Sequence, residues 1–329
     1  METRKIQIAG GTTYTVSLPK EWASEQELEA GARVRVHPYE DGSLLVQTAG
    51  HAEPEREPLQ LAPTDGSVDT LRRQVWAAYE TGREAIEVTG DSVSAADQRA
   101  LRDVASSLLG VDVVQRSDDG VVYRSLLDAS TVSLEQSLRQ LQFVADSALG
   151  DAVSTLVDEE VGTHGIEDRA AEAGRLAALV GRQFARSLDD PAVLDDLGVE
   201  RTTLFDYHAA ATELERIVEH ATTVGTVVQR QRTSVPEDVA ETLTATVDEA
   251  RDGVERSMNV LLDDGTAQTA CDVFDDCDRV DVARFDRLDD DAPAWLGVVF
   301  RSLVDAVEAS GAIAAIGLRS ALREEEYDQ

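Results

Sequence analysis

The 329-residue chain carries 64 acidic and 30 basic residues, a formal net charge of −34, and only 5% aromatic residues. This length excludes a single ordinary core and predicts two or more domains, whose interiors must rest on Ala, Leu and Val. The acidic residues are spread over patterned segments, which excludes one disordered acidic tail.

The basic residues are almost all arginines, because Lys5 and Lys20 are the only lysines. Dispersed acidity with few lysines is typical of a halophilic protein, since molar salt shortens the Debye length to about 3 Å and screens self-repulsion. The amino terminus lacks the apolar core of a signal peptide, and the most apolar late stretch, residues 295–318, is interrupted by charged side chains. We therefore expect a cytoplasmic protein.

Residues 1–48 have the short, alternating apolar segments of β-strands, with glycine-containing turns between them. Pro19 ends one strand and opens a short helix. Residues 49–58 are polar and contain two prolines, which is typical of a linker. The predicted elements are strands at 4–8, 13–18, 33–37 and 44–46, turns at Gly10-Gly11 and Asp41-Gly42, and a helix from 21 to 28.

Residues 59–128 alternate between strand and helix patterns and predict a small α/β sandwich. Asp118-Asp119-Gly120 joins the last two strands as a hairpin. The segment contains neither a G-x-G-x-x-G nor a P-loop pattern, so a connector or a ligand-sensing module is expected rather than a nucleotide site. The predicted strands are 59–62, 85–89, 111–115 and 121–127, and the predicted helices are 67–81 and 94–109.

From Thr131 onward, apolar residues recur every three or four positions, the spacing of amphipathic helices. A break at Ser234-Val235-Pro236-Glu237 separates three predicted helices from three more. This pattern predicts two all-α three-helix bundles, at 131–232 and 236–326. The expected fold class is therefore multidomain α+β, with an N-terminal β domain, a small α/β domain and two bundles.

The run from Gly10 to Trp22, followed by Leu28-Glu29-Ala30-Gly31-Ala32-Arg33-Val34, resembles the SpoVT–AbrB family. The resemblance implies a swapped-hairpin β dimer that binds DNA in many members, over residues 1–48. Basic side chains held on strands can contact phosphates and bases. The alternative is a unit that only dimerises the chain. The candidate DNA-binding residues are Arg4, Lys5, Lys20, Arg33 and Arg35.

The segment Leu214–Thr223, with its Glu-Arg-x-x-Glu-His order, resembles the motif in a helix of the PhoU family. Glu215 and Glu219 are four residues apart, as are Asp168 and Glu172, so each pair shares a helix face. The resemblance implies that such pairs bind a divalent metal (Mg, Mn or Fe), which oxygen ligands suit. Chance pairing is the alternative, because about one residue in five is acidic.

In the second predicted bundle the corresponding positions are less complete. Asp272 and Asp276 lie where the acidic helix belongs, and Glu308 lies on the last helix, within Val304–Ala309, which lacks the Arg and His of the motif. These three residues form a weaker candidate metal site.

The combined resemblance, to a halophilic archaeal PhoU-type protein with an N-terminal SpoVT–AbrB domain, implies a phosphate-responsive regulator of phosphate uptake that dimerises and binds promoter DNA. The alternative is a dimeric scaffold that acts on a phosphate transporter or sensor kinase without touching DNA. No catalytic constellation is recognisable, so we expect no enzyme. A di-metal hydrolase built on the bundle carboxylates would need Glu-x-x-His pairs, which the sequence lacks.

Overall fold

The structure is a computed structural model, and its contacts divide the chain into two units, Met1–Glu57 and Pro58–Gln329. The residues that it describes are 3–38, 42–48, 57–62, 68–89, 95–117, 120–157, 164–231, 235–263, 265–280 and 293–327.

The first unit consists of two β-hairpins with a short helix between them. Strand β1 (Gln7–Ala9) pairs antiparallel with β2 (Thr13–Thr15), and β3 (Val34–Pro38) pairs antiparallel with β4 (Leu44–Thr48). Helix α1 (Lys20–Glu25) follows Pro19 as predicted.

The first turn needs glycine, because Gly10 and Gly11 have φ angles of +62° and +83°. The second turn includes Asp41, which lies outside the described residues, as does most of the predicted linker. None of the described residues of this unit is buried.

The second unit begins with a four-stranded sheet in the order β5-β6-β8-β7, in which β5 runs parallel to β6 and the other neighbours are antiparallel. Two helices supply the apolar face that covers the sheet, and Val75, Tyr79, Val88 and Leu101 are among the buried core residues. The elements are β5 (Leu59–Leu61), α2 (Val68–Glu80), β6 (Ala85–Thr89), α3 (Ala95–Ser106), β7 (Val111–Ser117) and β8 (Gly120–Ser125).

A 3-10 turn at Ala129–Thr131 leads into seven helices, which make up the rest of the described chain. Their interior is built from Ala, Leu and Val, as the composition predicts. Pro236 precedes α8, and the side chain of Thr266 caps α9 by accepting from the Thr269 amide at 3.2 Å. The helices are α4 (Leu134–Val157), α5 (His164–Asp189), α6 (Ala192–Leu197), α7 (Arg201–Gln231), α8 (Glu237–Leu262), α9 (Ala267–Arg279) and α10 (Ala294–Tyr327).

The long helices before and after the break at residue 235 pack against one another. Helix α10 packs on α7 as well as on α8, and α4 packs on both α7 and α8. Ion pairs cross the same boundary: Arg251 binds Asp146 at 2.6 Å, and Arg323 of α10 pairs with the fully buried Asp206 of α7. The multidomain α+β fold class is confirmed, and among the described residues the two sets of helices form one helical body.

Helix α5 also joins this helical body to the sheet. Arg182 is 1% exposed, and its Nη1 atom donates to the carbonyl oxygens of Tyr79 at 2.7 Å and Arg83 at 2.9 Å. Its guanidinium also lies 4.8 Å from the centre of the Tyr79 ring. One turn away, Ala178 belongs to the core beneath the sheet. The hydrogen bonds of Arg182 therefore connect α5 to the α/β layer at the end of α2 and the turn that follows it.

Within the described ranges, no helix combines the length and the apolar character needed to cross a bilayer.

Candidate functional site

Both hairpins of the first unit have one apolar face that is open to solvent. In the first hairpin Ile8 stands opposite Tyr14, and these side chains are 65% and 74% exposed. In the second hairpin Val36 stands opposite Val46. Apolar faces of this kind are normally covered, because antiparallel sheets bury one side. Among the described residues of this unit none of these four side chains is buried, and Val46 is half-buried.

The opposite face of each hairpin is polar. In the first hairpin Gln7 stands opposite Thr15, and Lys5 precedes Gln7 by two residues. In the second, Arg35 stands opposite Gln47, and Arg33 precedes Arg35 by two residues. Strand geometry therefore turns these residues away from the apolar faces.

All five basic residues that the sequence singled out are exposed. Arg35 lies on β3, with Arg33 just before it, and Arg4 and Lys5 lie just before β1. Lys20 is the first residue of α1. The neutral polar residues of the same faces, Gln7, Thr13 and Gln47, were not predicted, although the period-two alternation of the sequence could have indicated them.

The two hairpins, joined by a short helix, form a small β unit, and its sequence is similar to the MazE/AbrB-like class. Residues 7–58 match the family model described as antidote-toxin recognition MazE, bacterial antitoxin. No curated protein and no solved structure matches the chain significantly. The match confirms the predicted SpoVT–AbrB-type domain and is compatible with a DNA-binding regulator. It does not reach the helical body, whose PhoU resemblance and halophilic character stay predictions.

A second candidate site lies where α2, α5 and α7 meet. A Cβ atom built on Gly174 of α5 would lie 3.4 Å from Oε1 of Glu215 and 3.7 Å from the ring of Trp76. Trp76 donates from Nε1 to Oε1 of Glu80 at 3.3 Å. Helix α5 therefore lies directly against a half-buried carboxylate and an aromatic ring at Gly174, where a Cβ would be in ordinary van der Waals contact with both.

Burial dominates the electrostatics of this corner. It raises the pKa of Glu215 from 4.5 to about 7, with smaller contributions in the same direction from the carboxylates of Glu219 and Glu80. Burial also raises the pKa of Glu80, although the hydrogen bond from Trp76 acts in the opposite direction and lowers this pKa. Charged Glu215 is thus held in an unfavourable environment, since the described residues place two further carboxylates near it.

The antiparallel register of α5 and α7 repeats this arrangement one heptad away. A Cβ built on Gly181 would lie 3.6 Å from the imidazole of His208, just as Gly174 faces Glu215. Phe184 stacks on His208 with 4.9 Å between ring centroids, and burial lowers the pKa of His208. At both positions a glycine of α5 therefore faces a large polar residue of α7.

The four predicted metal ligands of the first bundle do not converge in the described structure. Asp168 and Glu219 are exposed, and Glu172 accepts a hydrogen bond from Nε2 of Gln140 at 3.0 Å. Among the described residues, no three His, Cys, Asp or Glu side chains form a group suited to a metal ion. The residues present therefore do not fit a metal centre as they stand, and metal binding stays a prediction.

The three weaker candidate residues of the second bundle each interact with other side chains and not with one another. Asp272 accepts from Nε2 of Gln268 at 2.8 Å. Asp276 binds Arg256 and Arg279, each at 2.6 Å, at the edge of a cleft of about 380 Å³ between α8, α9 and α10. Glu308 lies 3.8 Å from Arg301. The two arginines on Asp276 already compensate its charge.

Proposed function

We propose that this protein is a DNA-binding regulator whose N-terminal unit dimerises and contacts promoter DNA. The observation that carries the proposal is the two-sided chemistry of the hairpins, apolar on one face and polar to basic on the other. A second copy is the natural cover for the apolar faces, because an isolated two-stranded hairpin is at best marginally stable in water. Dimerisation leaves the polar faces outward.

The basic residues supply the electrostatic part of this interaction. Arg4, Lys5, Lys20, Arg33 and Arg35 are exposed, and a dimer doubles their number. Neutralising phosphates with such side chains releases counterions, so binding weakens steeply with salt. The match of residues 7–58 to the MazE family supports the same assignment.

The proposal extends to control of phosphate uptake, through the resemblance of Leu214–Thr223 to the PhoU motif. The helical body then detects phosphate status or binds a phosphate transporter or sensor kinase. No step of this proposal passes through a metal ion, since the candidate ligands do not gather into a site among the described residues.

A dimeric scaffold that acts on a transporter or sensor kinase without binding DNA is the second candidate. One observation favours it: residues 1–57 contain ten acidic residues and only six basic ones. The apolar faces would account for the dimer in that case as well, so the exposed basic residues discriminate between the two functions.

Chromatin immunoprecipitation in phosphate-rich and phosphate-starved cells tests the proposal. We expect occupancy upstream of phosphate-transport genes that changes with phosphate, and loss of that occupancy in the triple variant Arg4→Ala, Lys5→Ala, Lys20→Ala. Arg72→Ala, an exposed arginine of α2, is the matched control. A blank profile from a folded, dimeric wild type would favour the scaffold.

A further inference from the structure

The polar faces of the two hairpins differ in chemistry, and neither carries an acidic residue. Along the first hairpin this face consists of Lys5, Gln7, Ala9, Thr13, Thr15 and Ser17. Along the second it consists of Arg33, Arg35, His37, Ser43, Leu45 and Gln47. The first is mainly neutral and rich in hydrogen-bonding groups, and the second carries two arginines and a histidine.

The described acidic residues of residues 3–48 lie outside both faces. In 3–38 and 42–48 they are confined to α1 and the turn after it, at Glu21, Glu25, Glu27 and Glu29. In a chain with 64 acidic residues, two six-position faces that carry no carboxylate suit an anionic partner.

The neutral face has the groups that distinguish bases. Glutamine recognises adenine by a bidentate pair of hydrogen bonds, and threonine can contact base edges or the thymine methyl group. The Thr15 hydroxyl donates to the carbonyl oxygen of Gln7 at 3.2 Å, which leaves its lone pairs available to accept from a base. A two-stranded ribbon also fits the major groove of B-form DNA, about 12 Å wide, whereas the major groove of duplex RNA is too narrow.

We propose that the polar face of the first hairpin enters the DNA major groove and reads base edges through Gln7, Thr13 and Thr15. Arg33 and Arg35 on the second hairpin bind phosphates and set the position of the ribbon, because phosphate contacts position a protein and base contacts specify the sequence. This assignment rests on the proposed function. It gives the base contacts to the first hairpin and the phosphate contacts to the second.

The experiment begins with selection of preferred sites from a random duplex library by the wild-type protein. Fluorescence anisotropy at fixed salt then gives Kd for the selected duplex and for a scrambled duplex, and their ratio measures discrimination. The variants are Gln7→Ala, Thr13→Val and Arg35→Ala. Gln47→Ala, the same residue type opposite Arg35 on the second hairpin, is the matched control.

We expect Gln7→Ala and Thr13→Val each to lower the discrimination ratio by roughly 5- to 150-fold and to leave scrambled-duplex binding unchanged. Arg35→Ala weakens both duplexes in parallel and reduces the salt dependence. Gln47→Ala changes the ratio by no more than about twofold. Gln7 and Thr13 are exposed, so light scattering and circular dichroism are expected to give unchanged dimers.

Three results would overturn the inference. If Gln7→Ala and Thr13→Val keep the ratio while Arg35→Ala loses binding, the first hairpin does not read bases, although the proposed function stands. If Gln47→Ala lowers the discrimination ratio and Gln7→Ala does not, the second hairpin makes the base contacts instead of the first. Wild-type protein that binds no DNA duplex, or binds duplex RNA more tightly, removes the proposed function together with the inference.

Discussion

Replacing Glu215 by glutamine is expected to stabilise the protein, and to do so more at high pH than at low pH. The side chain is half-buried between α5 and α7, and its pKa rises from 4.5 to about 7. An acid whose pKa is raised in the folded state stabilises folding least when it is ionised. The contribution of Glu215 to stability is therefore greatest below pH 4.5 and is lost as the pH rises towards 7.

The size of the effect follows from the displaced pKa. At about 1.4 kcal/mol per pKa unit, moving from 4.5 to about 7 corresponds to a penalty of about 3 kcal/mol when the group is fully ionised. Residual solvent exposure reduces this value, so we expect Glu215→Gln to gain about 1–3 kcal/mol at pH 8. At pH 5 folding has incurred little of the penalty, and the gain falls below about 1 kcal/mol.

Urea denaturation followed by circular dichroism at pH 5 and pH 8, with a chelator and at fixed protein concentration, measures this difference. Glu241→Gln, an exposed glutamate on α8, is the matched control and should change stability by less than about 0.5 kcal/mol. An equal gain at both pH values, or a loss at pH 8, would refute the assignment of Glu215 as a strained carboxylate. Adding Mg²⁺ or Mn²⁺ tests the metal prediction, since a ligand role requires stabilisation of the wild type but not of the variant.

Three further predictions concern packing and assembly. Arg182→Met should cost about 2–4 kcal/mol in urea denaturation, because the carbonyl oxygens of Tyr79 and Arg83 lose their charged donor, whereas exposed Arg72→Met should be nearly neutral. Gly82→Ala should lower the melting temperature, with a cost of about 1–2 kcal/mol, because the φ of Gly82 is +83° and a Cβ would lie 2.6 Å from Cγ of Arg186. Gly150 on α4 faces open space, so Gly150→Ala should instead stabilise the protein by about 0.5–1 kcal/mol. Val36→Asp should convert a dimer to a monomer in light scattering without loss of helix content, and a persistent dimer would contradict the role of the apolar hairpin face.

The elements with strong local signals could be predicted closely from sequence. Strand β6 was predicted at its observed bounds, because its β-branched residues end at a clear turn. Helix α6 was not predicted, since six residues are too few to show a helical period, although Pro191 before it and Gly198 after it were usable boundary signals.

What periodicity cannot supply is the identity of the neighbour that covers each apolar face. The stripe on α10 predicts a buried side but not its contact with α7. Arg182 could not be recognised as buried, because arginine ordinarily lies at the surface and only the backbone carbonyl oxygens of the α2–β6 turn make this position favourable. At the hairpins, charge revealed the basic residues, whereas only the period-two alternation of the strands could have indicated the neutral residues on the same faces.

Helix α5 serves two cores at once, and this arrangement has a mechanical consequence. Its Ala178 and Arg182 complete the layer beneath the sheet, while Ala173 and Val180 are buried within the helical body. A shift or rotation of α5 would therefore also displace the residues that pack against the sheet. Amide exchange in β6 and β8 should consequently report on any event that moves α5, even one that begins at the far end of the helices.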